Sequence, residues 1–292
     1  MTTTAAPLTP IDHEPAWEPF VCDPWRARVL AEVAGPQDTP YLLDAAGRHG
    51  VVPPTFLVGQ RVDAATLGVP DAPVRLNAGN WCRWEAGVEP GDDLERRTVV
   101  ESATRKTGRS GELHFYELAT TYRRRDTLET VARASTTTIR RHPATTSRSD
   151  PPARRPDQQG APPPEAREVL SVLPSSRDVV RYAAATDDFY EVHYDDEFAR
   201  SRGLPGTITH GLLKLAYLAA AAARWGGPGT FVREVSASYT AMDRVGQPFR
   251  VFVQAVPPAV DTAPGATRLK LYGVSANDQI STTGSALIDD GR

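Results

Sequence analysis

The sequence is poor in lysine. Of its 33 basic residues only Lys106, Lys214 and Lys270 are not arginine. With 36 acidic residues the formal charge is -3, so no basic surplus draws the chain to nucleic acid or to an anionic membrane. Two cysteines, Cys22 and Cys82, are too few for a disulfide framework or a cysteine-built zinc site. Long apolar runs are missing too. The most apolar stretch, 212–223, contains Lys214 and falls short of the ~20 residues that span a bilayer. The opening MTTTAAPLTP has neither the basic start nor the apolar core of a signal peptide. These shortages predict a soluble, cytoplasmic protein with no nucleic-acid or membrane partner.

What remains is ordinary globular material, 40% hydrophobic and 24% charged. The 292 residues leave room for two domains of roughly 100–200 residues each. Residues 142–168, HPATTSRSDPPARRPDQQGAPPPEARE, are rich in Pro, Arg and Ser and have little to bury. They read as a linker between an N-terminal unit, 1–141, and a C-terminal unit, 169–292.

In the first unit the pattern predicts a helix over 24–33 and strands over 94–104, 112–123 and 129–140; Pro53-Pro54 opens a helix or a strand. In the second it predicts helices over 176–185 and 197–202, then a long helix from His210-Gly211 through five alanines to Ala223. Strands follow over 231–240, 249–256, 267–274 and 280–288. A helix apolar nearly all round belongs inside a core. One buried helix followed by antiparallel strands excludes a doubly wound sheet. The expected fold is α+β: two units, each an antiparallel sheet wrapped around a central helix, the first unit's helix being faintly marked.

The chemistry is concentrated in DDFYEVHYDDEFARSRGLPGTITHGL, 187–212. Asp188 stands five residues before His193, and His210-Gly211 begins seventeen residues after it. With Val192, Asp195, Phe198, Ala199, Gly203 and Ile208, this constellation resembles the MaoC-like family of (R)-specific enoyl-thioester hydratases and 3-hydroxyacyl-thioester dehydratases. In the first unit, PPTFL (53–57), WEAGVEPGD (84–92) and ARASTTTIRR (132–141) resemble the degenerate N-terminal half of two-domain members. Gln37 and Leu42 stand there in place of an acid/base pair.

The resemblance implies a double hotdog fold. It also implies reversible hydration of an acyl thioester, bound to CoA or to acyl carrier protein, with no metal and no cofactor, and it points to a homodimer. Asp188 and His193 would activate the water, and the Gly211 N–H at the helix start would hold the thioester oxygen. Tyr190, Glu191, Thr209 and His210 would face the substrate. These residue types suit the task. An imidazole titrates near neutrality, a carboxylate shares its water, and a helix N-terminus favours developing negative charge.

Tyr190-Glu191 replaces the family's Asn-Pro, which points away from a straight-chain acyl group and towards a branched, polar or carrier-bound one. It also leaves two alternatives open: a silent hotdog subunit that binds thioesters or partners an active chain, and a hotdog thioesterase. Asp195 and Asp196 read as caps or solvated charge, and Arg123-Arg124-Arg125 reads as a solvated turn rather than a phosphate contact.

Overall fold

The computed structural model describes residues 6–8, 15–35, 52–72, 74–108, 111–143, 160–257 and 265–289. The first unit carries β1 (Ala6–Pro7), β2 (Glu18–Val21), α1 (Pro24–Ala34), α2 (Phe56–Gly59), a 3-10 turn at Ala64–Leu67, β3 (Val74–Trp84), β4 (Asp93–Gly108), β5 (Gly111–Arg124) and β6 (Thr130–Pro143). The second carries β7 (Arg167–Val172), α3 (Ser176–Thr186), α4 (Asp196–Ser201), α5 (Gly211–Gly226), β8 (Phe231–Tyr239), β9 (Phe249–Ala255), β10 (Ala266–Val274) and β11 (Ile280–Asp289).

All eleven strands join one sheet, in the order β4-β5-β6-β3-β8-β11-β10-β9-β7, with β1 and β2 both on the outer edge of β4. Outward from the β3–β8 seam the two sides repeat one plan: β3-β6-β5-β4-β2 and β8-β11-β10-β9-β7. Two hotdog units therefore share a single antiparallel sheet. The seam is tight. A Cβ on Gly79 would stand 2.8 Å from the Ala237 carbonyl oxygen, so only glycine lets β3 and β8 pair there.

The helices lie against this sheet for reasons visible in their residues. In α5 every residue from Leu213 to Ala223 is buried. Its alanines let β7, β8, β9, β10 and β11 pack close. A reciprocal capping box between Ser175 and Asp178 opens α3, and Asp23 caps α1 by accepting the Arg26 N–H at 2.7 Å. α1 and α3 pack against each other and so tie the units together on the helical side. Among the described residues, the first unit's counterpart to the 16-residue α5 is α2, only four residues long. It packs on β3 and β6 as α5 packs on β8 and β11. The Tyr122 hydroxyl donates to the Leu57 carbonyl at 2.9 Å, and the Trp84 indole N–H to the Pro54 carbonyl at 3.0 Å.

The structure differs from the sequence reading in several places. β3 was not expected, because Asn77-Ala78-Gly79-Asn80 carries a turn composition. Here those residues make a bulge inside the strand, with the Asn77 side chain accepting the Gly79 N–H at 3.1 Å. β6 runs on to Pro143 and β7 begins at Arg167, so both ends of 142–168 belong to strands; residues 144–159 lie outside the described residues, as do Gln37 and Leu42. Arg123, Arg124 and Arg125 each meet a carboxylate, on Glu95, Asp92 and Asp93.

Cys22 and Cys82 are buried free thiols that burial pushes up to about 12. Among the described residues, no helix is long and apolar enough to cross a membrane.

Candidate active site

The site is assembled where α3 ends and α5 begins. After Thr186 the chain turns through Asp187, whose φ of 63° is left-handed, a conformation aspartate tolerates better than most residues. This turn delivers Asp188. The first unit holds the end of α3: Arg26 Nε donates to the Ala185 carbonyl at 2.8 Å, and the Arg61 N–H to the Thr186 carbonyl at 3.2 Å. A 3-10 turn, Glu191–His193, then swings His193 inward. Asp195 caps α4 by accepting the Phe198 N–H at 2.9 Å. The extended return through Ile208 and Thr209 leads to His210 at the head of α5.

Two hydrogen bonds orient the imidazoles. His193 Nδ1–H donates to the Ile208 carbonyl at 2.8 Å, and His210 Nε2–H donates to the Asp188 carbonyl at 3.1 Å. The rings stack with centroids 3.6 Å apart, and Tyr182 packs on the other side of His210 at 4.8 Å. Because carbonyl oxygens only accept, each neutral ring is left with one bare lone pair, on His193 Nε2 and on His210 Nδ1. Burial lowers the pKa of His193, against the opposing pull of the Asp188 charge and the Ile208 bond. It lowers that of His210 further, helped by the neighbouring His193. Both rings are thus neutral bases at neutral pH.

Ligand atoms of Asp188, His193 and His210 lie within 4.8 Å of one another, a separation compatible with a divalent cation. The stacking argues against that use, since imidazoles bind metals through in-plane lone pairs and these rings oppose their faces.

Of the other expected residues, Thr209 is buried with its hydroxyl unpartnered, like His210 Nδ1. A buried polar atom without a protein partner can be satisfied by a water or a ligand group. Tyr190 is exposed, and its ring centre lies 6.2 Å from that of His193 with the planes 85° apart. Glu191 is exposed at the start of the 3-10 turn. Gly211 is the first residue of α5, so its N–H has no acceptor within the helix. A side chain there would press on the Tyr239 ring, 3.1 Å from a would-be Cβ.

Comparison with known proteins bears on the two units. Residues 154–262 match the family model described as MaoC like domain, and residues 36–132 match a FAS1-like dehydratase domain region. The chain carries a MaoC-like domain and a FAS1-like dehydratase region. A solved MaoC-like dehydratase superposes with TM-score 0.71 at 18% identity, over 98% of this chain and 97% of that one. HtdX from Mycobacterium tuberculosis gives 0.65 at 17% identity, over 92% and 97%. Rv0216 from the same organism, described as a double hotdog fold, gives 0.62 at 16% identity, over 99% and 96%. No curated protein sequence matches the chain.

The chain also holds groups near the site that the sequence reading missed. Lys214, one turn into α5, is buried and donates to Asp243 at 2.7 Å and to the Ala241 carbonyl at 2.9 Å. Asp243 also accepts the Ser281 hydroxyl at 2.8 Å and the Ser275 hydroxyl at 2.5 Å. Through its carbonyl it receives the Thr209 N–H at 2.8 Å, so the ion pair braces the segment that supports His193. The available signal was a lysine in an otherwise apolar helix, in a chain nearly without lysine.

Proposed function

We propose that the C-terminal unit catalyses the reversible addition of water to a trans-2-enoyl thioester, giving the 3-hydroxyacyl thioester, with Asp188, His193 and Gly211 as its catalytic groups. The observation that carries this reading is the hydrogen bond from His193 Nδ1–H to the Ile208 carbonyl. It fixes the tautomer that leaves Nε2 as the basic nitrogen of a ring with a ligand atom within 4.8 Å of an Asp188 carboxylate oxygen.

In the hydration direction, Asp188 and His193 grip one water. As its oxygen bonds to C3, a water proton passes to His193 Nε2. The C2=C3 electron pair moves toward the thioester, and the charge gathering on its oxygen is met by the Gly211 N–H and the α5 dipole. C2 then takes a proton from the same acid/base pair, so H and OH are added across the double bond and the enzyme is restored. Dehydration reverses each step. Thr209, His210 and Tyr190 face the acyl group, and Glu191 stands at the mouth. The carrier is CoA or acyl carrier protein, in a cytoplasmic homodimer; no metal or organic cofactor enters a step.

A second reading, a silent subunit that binds thioesters, is favoured by Tyr190-Glu191, a bulky, charged pair beside the acid/base groups. Crotonyl-CoA and 3-hydroxybutyryl-CoA, followed together by enoyl absorbance and free thiol, separate the possibilities. Reversible loss of the enoyl signal without thiol release is the expected result. Thiol release means a thioesterase. Binding without turnover over a broad acyl panel, carrier-bound chains included, means the silent subunit.

A further inference from the structure

The first unit reaches the C-terminal site through a residue that touches no proposed catalytic group. Asn80, on β3, is buried at 4% exposure. Its Oδ1 accepts the Tyr239 hydroxyl across the seam at 2.9 Å. Asn80 is itself fixed, its Nδ2 donating to the Thr136 hydroxyl at 2.8 Å and its Oδ1 also receiving Asn77 Nδ2 at 2.8 Å. Tyr239 closes β8, and its ring lies flat against the backbone of Gly211. Three ring atoms would stand 3.1, 3.2 and 3.3 Å from a Cβ built there. The Lys214 ammonium lies 5.4 Å from the centre of the same ring. Burial raises the Tyr239 pKa far enough that the phenol stays a neutral donor.

We infer that Tyr239 is a positioning residue for the Gly211 amide and that Asn80, from the first unit, holds it in place. The ring is the stop against which α5 rests. Its height above the seam sets where the first N–H of the helix points, and the Asn80 bond sets that height. Glycine at 211 is thereby explained by the close approach of the ring as well as by its N–H. The inference rests on the proposed role of that N–H as the donor to the thioester oxygen.

The test reads the carbonyl directly. Crotonyl-CoA labelled with ¹³C at C1 is bound to D188N, which slows turnover, and its carbonyl stretch is recorded before turnover by isotope-edited infrared difference spectroscopy. A donor at Gly211 lowers that frequency on binding. Adding Y239F or N80A to D188N is expected to return about half of the lowering. In the otherwise native chain, each is expected to reduce kcat by about tenfold with KM within about twofold, as a displaced donor would. An unchanged carbonyl frequency and kcat in both variants, with only Tm lowered, would make the contact purely structural and overturn the inference alone. A native protein that neither shifts the carbonyl nor turns over would overturn the proposed function, and the inference with it.

Discussion

The imidazoles of His193 and His210 lie face to face, ring centres 3.6 Å apart and planes 23° from parallel. Each uses its one N–H on a main-chain carbonyl. A proton on one ring sits against the other, so the stacked pair resists taking a second. Burial discourages even the first.

The acid side of the pH–rate profile follows from this. The working form of His193 is the neutral ring, and its pKa is lowered. The acid limb of kcat/KM is therefore expected below the ordinary imidazole value of ~6.5. Initial rates from pH 4.5 to 8 measure it. An acid limb above that value would mean that the His193 pKa is raised, and a rate that falls as pH rises through it would mean that His193 works protonated.

Asp188→Asn and His193→Ala are each expected to lower kcat by about 10²–10⁴-fold, the range for removing an acid/base group. Neither side chain carries the core, so circular dichroism and Tm should change little. Near-native turnover in either variant would take that residue out of the chemistry.

Stability should also fall with acid. The unfolded chain takes up protons on these two histidines as pH drops below ~6.5, whereas the folded chain, with both pKa values lowered, does not. Their effect on stability is absent above that pH and grows as pH falls toward the folded values. Urea midpoints at pH 7.5, 6 and 5 are expected to decline in that order. The double variant H193Q/H210Q should decline less steeply.

Removing half of the buried ion pair is expected to be costly. Lys214→Met leaves the Asp243 charge inside with only hydroxyl donors, a loss of about 3–5 kcal/mol for a stranded charge. Adding Asp243→Asn should restore part of it. Chemical denaturation of the native chain, both single variants and the double variant gives the coupling. Additive losses would mean that the two groups act independently.

Much of the second unit was legible from its residues because local and global signals agree there. The Ser175–Asp178 box, the alanine-rich α5 and the alternating strands each state one conformation. The Asp188–His193 spacing could be read because a 3-10 turn folds five residues back upon themselves. β3 was hidden because its Asn and Gly serve a bulge and a close strand approach, and composition alone cannot tell these from a turn. Tyr239 and Asn80 were hidden for a different reason. They are 159 positions apart, and nothing in either neighbourhood announces the other. The Lys214–Asp243 pair joins a helix to the connection after β8, a long-range contact with the same opacity.

One chain contains both sides of the β3–β8 seam, and that has a genetic consequence. In an assembly of two identical units every substitution appears twice, so a shortened helix or a new side chain at the junction must suit both copies at once. Here each side accumulates changes on its own. One half can hold a single turn where its twin keeps a four-turn helix.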